Sequence, residues 1–212
     1  MNAVVALGLA YASGSVPAAY LAGRAMKGID LRTVGSGNLG ATNVYRTLGA
    51  KVALVVFVVD VLKGALPAAL LPGAVLPASA LGTDRALWWA LGFGIAAIIG
   101  HAKPVFLLWK GGGKGVATAA GVFAALAPVQ FGLALLAFIV VLWRTGYVSA
   151  GSLTAAVVLP VALVASLGPG SPVTIIAVVV GIFVFWTHRA NMARLRQGTE
   201  HRFSRSKPTE AS

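Results

Sequence analysis

No cysteine occurs anywhere in the chain. Disulfides and thiolate metal centres are therefore excluded, and the redox state of the compartment leaves no trace in the sequence. Acidic residues are nearly as scarce, 5 Asp and Glu against 17 Lys and Arg, and there are only 3 histidines. These few groups show no ligand spacing for a metal, so neither a metal nor another cofactor is expected. Charged residues make up 10% of the 212 positions. That is well below the roughly one quarter usual in soluble domains, and too few to cover a globular surface. In their place stand apolar residues, 58% of the chain, with a mean hydropathy of +0.87.

The apolar residues fall in long runs, the pattern of bilayer-spanning helices. The first is Ala3–Gly23, and a second runs from Val52 to about Leu71 with Asp60 and Lys63 inside it. A third starts at Ala86 and ends near His101; Tyr147–Leu167 and Val173–Thr187 follow later. No basic region precedes the first run, and it is long enough to span, so it reads as a retained helix and not a signal peptide. Between Gly115 and Trp143 no residue is charged. That stretch is either one overlong tilted helix or two short ones hinged at Pro128. The hinged pair fits the charges better. Loops 24–51, 101–114, 144–147 and 188–212 then share one face, holding every basic residue except Lys63 and Arg85. The positive-inside rule makes that face cytoplasmic. The same layout argues against nucleic-acid binding as the origin of the net charge of +12. The expectation is a single all-α transmembrane domain over residues 1–212, with about seven membrane helices. Its N-terminus lies outside, its C-terminus is cytoplasmic, and a mobile basic tail covers 203–212.

Three polar, glycine-rich blocks interrupt the apolar pattern. The first is Gly35-Ser36-Gly37-Asn38-Leu39-Gly40-Ala41-Thr42-Asn43-Val44-Tyr45-Arg46. Its glycine spacing matches a dinucleotide fingerprint, but no strand precedes it, which removes that reading. Glycines here let backbone N–H groups converge on an anion. Ser36, Asn38, Thr42 and Asn43 add neutral donors, and Arg46 adds a planar cation suited to phosphate. The bland alternative is a polar loop between helices. The second block is His101-Ala102-Lys103-Pro104-Val105-Phe106, then Lys110-Gly111-Gly112-Gly113-Lys114-Gly115-Val116-Ala117-Thr118. It lacks the Ser or Thr of a Walker A motif, yet it sets a glycine turn just before a helix, where free N–H groups attract anions. Snorkelling lysines on a flexible loop would look similar. The third block is His188-Arg189-Ala190-Asn191-Met192-Ala193-Arg194-Leu195-Arg196-Gln197-Gly198-Thr199-Glu200. His188, Asn191 and Arg194 share one helical face. A plain basic anchor would need the charge but neither the imidazole nor the amide.

Taken in order, these blocks resemble the three cytoplasmic motifs of the bacterial acyl-phosphate:glycerol-3-phosphate acyltransferases. Gly14-Ser15-Val16-Pro17, Asp60-Val61-Leu62-Lys63-Gly64 and Tyr147-Val148-Ser149-Ala150-Gly151-Ser152 agree as well. The chain departs from the pattern with a third glycine in Gly111–Gly113 and with Lys103 where the family has an aromatic residue. The resemblance implies transfer of a fatty acyl group from acyl phosphate to glycerol 3-phosphate at the cytoplasmic face of the bacterial cell membrane, among membrane lipid. The products are 1-acylglycerol 3-phosphate and phosphate. It implies no coenzyme A and no metal. Ser36, Arg46, Gly112 and Lys114 would hold the acyl phosphate, while His188, Asn191, Asn43 and Ser149 orient glycerol 3-phosphate. Gly37, Asn38, Thr42, Gly113, Gly115 and Arg194 would line the substrates. Glu200 would fix its loop through Arg194 or backbone amides. No His-x-x-x-x-Asp pair exists, which suits a donor whose own phosphate takes the hydroxyl proton. A transporter is the rival reading. It rests on Asp60 and Lys63 at membrane depth, although their i, i+3 spacing lets them neutralise each other.

Overall fold

The computed structural model describes residues 1–203, and among these every regular element is helical. Residues 204–212, which include most of the expected mobile tail, lie outside the described residues. The helices are α1 (Ala3–Ser15), α2 (Ala18–Lys27), α3 (Ala41–Leu48), α4 (Ala50–Val75), α5 (Asp84–Ala102), α6 (Val116–Leu126), α7 (Pro128–Thr145), α8 (Val148–Leu167), α9 (Pro172–Thr187) and α10 (Arg189–Arg196).

Five of these segments are long and apolar enough to cross a membrane: α1 with α2, α4, α5, α7 and α8. A sixth forms if α9 and α10, bent by 59°, count as one. The protein is a multi-pass membrane protein, and its outer surface agrees. Val4, Leu54, Leu70, Leu136, Val161 and Ile182 stand exposed on the outside of the bundle. An outward apolar surface of that extent is stable only against lipid.

The uncharged stretch is two helices, as the proline suggests, but they are unequal. α6 has 11 residues and α7 has 18. At 1.5 Å per residue α6 is roughly 16 Å long, about half of a hydrocarbon core. Pro128 lacks the N–H that would continue α6, and instead opens α7 at its first position. Pro17 acts similarly within the first apolar run, which is not one helix: α1 stops at Ser15 and α2 starts at Ala18. The polar stretch 24–51 is also more ordered than a loop, because α3 forms between Gly40 and Gly49.

The helices approach closely where glycine removes the side chain. A Cβ on Gly64 of α4 would sit 2.1 Å from the Thr118 carbonyl oxygen of α6, and one on Gly121 of α6 would sit 2.0 Å from the Val61 oxygen. α1 and α5 meet in the same way at Gly14 and Gly100. In lipid, where apolar burial gives helices little reason to associate, such backbone contact supplies the packing. Gly121→Leu is therefore expected to cost roughly 3 kcal/mol or more, seen as early unfolding in a detergent melt. Gly132→Leu, with nothing within 4 Å of its Cβ position, should melt like the unsubstituted protein.

Candidate active site

All three polar blocks come together at one end of the bundle. The first forms a loop ahead of α3 that is held from inside by Asn43. The Asn43 Oδ1 accepts the Ser36 N–H at 3.0 Å, and its Nδ2 donates to the carbonyls of Leu31 at 3.2 Å and Val34 at 3.1 Å. Asn43 is buried, so the amide expected to orient glycerol 3-phosphate is committed to its own loop. The reason is local: α3 turns this residue toward the core beside Val44. Ser36 lies exposed on the same loop, while Thr42 is half-buried in the first turn of α3. Arg46, one turn beyond Thr42, shares its face.

The first loop clasps the glycine loop. Leu39 N–H and Asn38 Nδ2 both donate to the Gly112 carbonyl, at 3.2 and 3.4 Å. Arg32 Nη1 donates to the Lys110 carbonyl at 3.0 Å, while its other nitrogens grip Asp30, the closest contact being 2.6 Å. Hydrogen bonds from Arg32 hold the Asp30 carboxyl at about 2. Nothing in the sequence marks Asp30 and Arg32 beyond two opposite charges close together. Gly37 and Gly115 both adopt positive φ, +68° and +80°. Gly115 thereby turns the chain from the loop into α6.

From this loop Lys114 Nζ donates to the Asn191 Oδ1 on α10. Asn191 Nδ2 in turn donates to Glu200 Oε1 at 2.7 Å, where Ser149 Oγ of α8 also donates at 3.0 Å. Arg194 Nε donates to Glu200 Oε2 at 2.7 Å. Glu200 thus gathers three donors from two helices, the loop-fixing role expected of it through Arg194. Burial pushes its carboxyl up, but the bonds from Asn191, Arg194 and Ser149 outweigh burial and hold it below the usual carboxylate range. Ser149, buried, faces this carboxylate and not open space.

His188 joins α9 to α10 beside the cluster, next to Thr187, whose Oγ1 donates to the Lys114 carbonyl at 3.4 Å. The His188 Nδ1 lies 2.8 Å from the Val184 carbonyl. A carbonyl only accepts, so Nδ1 carries the hydrogen, and in the neutral ring Nε2 is a lone-pair acceptor. Arg46 reaches across to donate to the His201 carbonyl at 3.3 Å.

Three cations, Arg46, Lys114 and Arg194, therefore surround one carboxylate, Glu200. Lys114 shows the imbalance. Burial lowers its ammonium to about 8; Glu200 opposes the fall, and Arg194 and Arg46 deepen it. Such a site gains from taking up a dianion. Beside it an apolar groove of about 130 Å³ runs between α4, α6, α7, α8 and α9. It begins at Val116, Ala117 and Val184, close to Lys114 and His188, and continues past Phe123, Phe138 and Leu159. The cationic cluster and the apolar groove thus lie close together, with Val116 of the groove lining two residues beyond Lys114.

Comparison with known proteins gives a consistent result. The glycerol-3-phosphate acyltransferase family profile matches residues 4–198. The chain is 47% identical over 204 residues to a glycerol-3-phosphate acyltransferase of Synechococcus sp. strain CC9902, covering 95% of this chain and 96% of that one. It is 48% identical over 205 residues to one of Thermus thermophilus, covering 94% of each. In structure it is similar to PlsY, an integral membrane glycerol 3-phosphate acyltransferase, crystallised in a glycerol 3-phosphate form. The TM-score is 0.81 at 38% identity, over 95% of this chain and 96% of that one. A lysophosphatidic acid form of PlsY gives 0.81 at 37% identity, over 95% of each chain.

Proposed function

The chain belongs to the glycerol-3-phosphate acyltransferase family, and from that premise we propose that it takes its acyl group from acyl phosphate. One observation carries the choice of donor. The cationic cluster of Arg46, Lys114 and Arg194 exceeds the charge of Glu200, and an apolar groove starts within two residues of Lys114 along the chain, at Val116. An acyl phosphate has that shape, a dianionic head on a hydrocarbon tail. A thioester donor would bring no phosphate at the reacting carbon. The groove takes the tail, and the head lies against Lys114 and Arg46, with the N–H groups of the glycine loop nearby.

The reaction follows. The terminal hydroxyl oxygen of glycerol 3-phosphate attacks the acyl carbonyl carbon, while the neighbouring hydroxyl donates to His188 Nε2 and fixes the substrate's orientation. The new C–O ester bond forms as the bond from that carbon to the phosphate oxygen breaks. The hydroxyl proton passes to the departing phosphate, so the protein needs no strong base. Negative charge grows first on the carbonyl oxygen and then on the phosphate; Lys114 and Arg46 face both. Donors already aimed at developing charge are the largest source of rate in such reactions. Asn191 and Arg194, held by Glu200, contribute to binding glycerol 3-phosphate. The products are 1-acylglycerol 3-phosphate and inorganic phosphate. Offering glycerol 3-phosphate with acyl phosphate, acyl coenzyme A or acylated carrier protein in parallel tests the donor: only the first should sustain turnover. Turnover with a thioester but not with acyl phosphate would remove this reading.

The proposed site is cytoplasmic, and the proposed topology has seven crossings, with α6 a short one in a locally thinned bilayer. Basic residues at the clustered end support this orientation. Because the chain has no native cysteine, Lys110→Cys, Thr199→Cys and Gly170→Cys each carry one thiol. An impermeant maleimide on intact cells should label only the thiol at position 170, in the α8–α9 turn. Labelling at 110 or 199 would invert the orientation.

A further inference from the structure

Three ionisable side chains outside the cationic cluster are buried within the bundle: Asp60 and Lys63 of α4, and His101 near the end of α5. Lys63 Nζ lies 2.7 Å from Asp60 Oδ1 and donates to the Val16 carbonyl at 3.1 Å, at the break between α1 and α2. His101 Nδ1 approaches the same Asp60 oxygen at 3.5 Å. A carboxylate present only to neutralise Lys63 has no need of the imidazole. Here both partners crowd onto Oδ1, while Oδ2 has no hydrogen-bond partner among the described residues.

The other edge of the imidazole supports the glycine loop. A Cβ on Gly113 would stand 1.8 Å from His101 Nε2, and one on Gly112 would stand 2.1 Å from the Ala102 carbonyl oxygen. The Gly113 N–H donates to the His101 carbonyl at 3.1 Å. The loop therefore rests on residues 101 and 102, on backbone and ring alike, with no side chain in between. Lys114 is the next residue.

We propose that Asp60 and His101 are positioning residues for acyl transfer: the buried carboxylate orients the imidazole under Gly113, and the imidazole sets the place of the loop that delivers Lys114. Neither touches the reacting atoms. The proposal rests on Lys114 acting in the reaction. A catalytic group misplaced by about 1 Å can cost on the order of 100-fold, so a distant carboxylate can govern rate without contacting substrate. The plain alternative is that Asp60 and Lys63 neutralise each other and His101 fills space.

Replacing both charges at once separates the two accounts. Asp60→Leu/Lys63→Met removes the pair without stranding a charge, a change that is often tolerated in protein interiors. Neutralisation alone predicts near-normal turnover. Positioning predicts a fall in kcat on the order of 30-fold, with KM for both substrates within threefold. It also predicts a loosened loop, read as faster motion of a spin label on Lys110→Cys, with a label on Gly170→Cys unaffected. Asp60→Asn/Lys63→Met keeps an oxygen to accept the imidazole N–H and should recover turnover to within about fivefold. His101→Ala leaves the ion pair intact. It should reproduce the kcat loss and the mobile label even if the apolar double variant does not reach the membrane. An immobile label with kcat within threefold in either the apolar double variant or His101→Ala would overturn the proposal. If the unsubstituted protein shows no turnover with acyl phosphate, the reading of the reaction fails on its own account. The label mobilities still decide whether Asp60 and His101 hold the loop.

Discussion

Lys114→Ala is expected to lower kcat roughly 100–1000-fold, the usual cost of removing one preorganised donor from a developing negative charge. The ammonium follows three glycines, reaches Asn191 Oδ1 and sits among Arg46, Arg194 and Glu200. Its contribution grows as charge moves onto the leaving phosphate, so the loss should fall on kcat more than on KM. A raised KM with unchanged kcat would instead mean that the loop only binds glycerol 3-phosphate in the ground state. Lys110→Ala is the matched control. That side chain is exposed, and the residue's contact with Arg32 is through its carbonyl, so turnover should stay within about threefold. The pH dependence has a definite sign. The charged form acts, and burial has brought the group to about 8. kcat/KM should therefore fall as pH rises through about 8, and Lys114→Arg, whatever its residual rate, should lose that limb.

Glu200→Ala should be nearly as damaging, with activity down on the order of 100-fold and less folded protein recovered. One carboxylate receives Ser149, Asn191 and Arg194. Its loss leaves three donors unmatched and removes the carboxylate that holds up the charge on Lys114. Breaking such a buried charged network costs more than its net stabilisation. Asn191 suffers twice, since its amide nitrogen is anchored on Glu200 while its oxygen receives Lys114. Glu200→Gln keeps the shape but turns one acceptor into a donor facing other donors, and an intermediate loss of roughly 10-fold is expected. If Glu200→Ala instead retains full turnover, the tail segment is not part of the site.

The regular features were legible from local pattern. His188 stands at the 59° bend between α9 and α10 and not on one helix with Asn191 and Arg194, but the Pro128 hinge and the presence of several apolar membrane helices follow from short-range rules. So does Glu200 as a partner for Arg194. Some misses had signals in plain view. Pro17 sits in the middle of an apolar run and breaks it, as its missing N–H requires. Gly40 and Gly49 bracket α3, whose Val44 faces the core. A side-chain amide such as that of Asn43 serves a ligand or its own loop equally well, and its bonds to Ser36, Leu31 and Val34 come from the fold and leave no sequence signal. The support of His101 under Gly113, and the meeting of His101 with Asp60 across α4 and α5, carry no sequence-local trace. They depend on how the helices pack, with Gly64 and Gly121 bringing α4 against α6 and Gly14 and Gly100 bringing α1 against α5.

The most direct test of the central claim is phosphate release by protein purified in lipid, with acyl phosphate present and glycerol 3-phosphate added last. The expected result is steady release that begins only on that addition, matched one for one by 1-acylglycerol 3-phosphate, and all but abolished in Lys114→Ala from an identical preparation. Release that ignores glycerol 3-phosphate, or that persists undiminished in Lys114→Ala, would contradict the account.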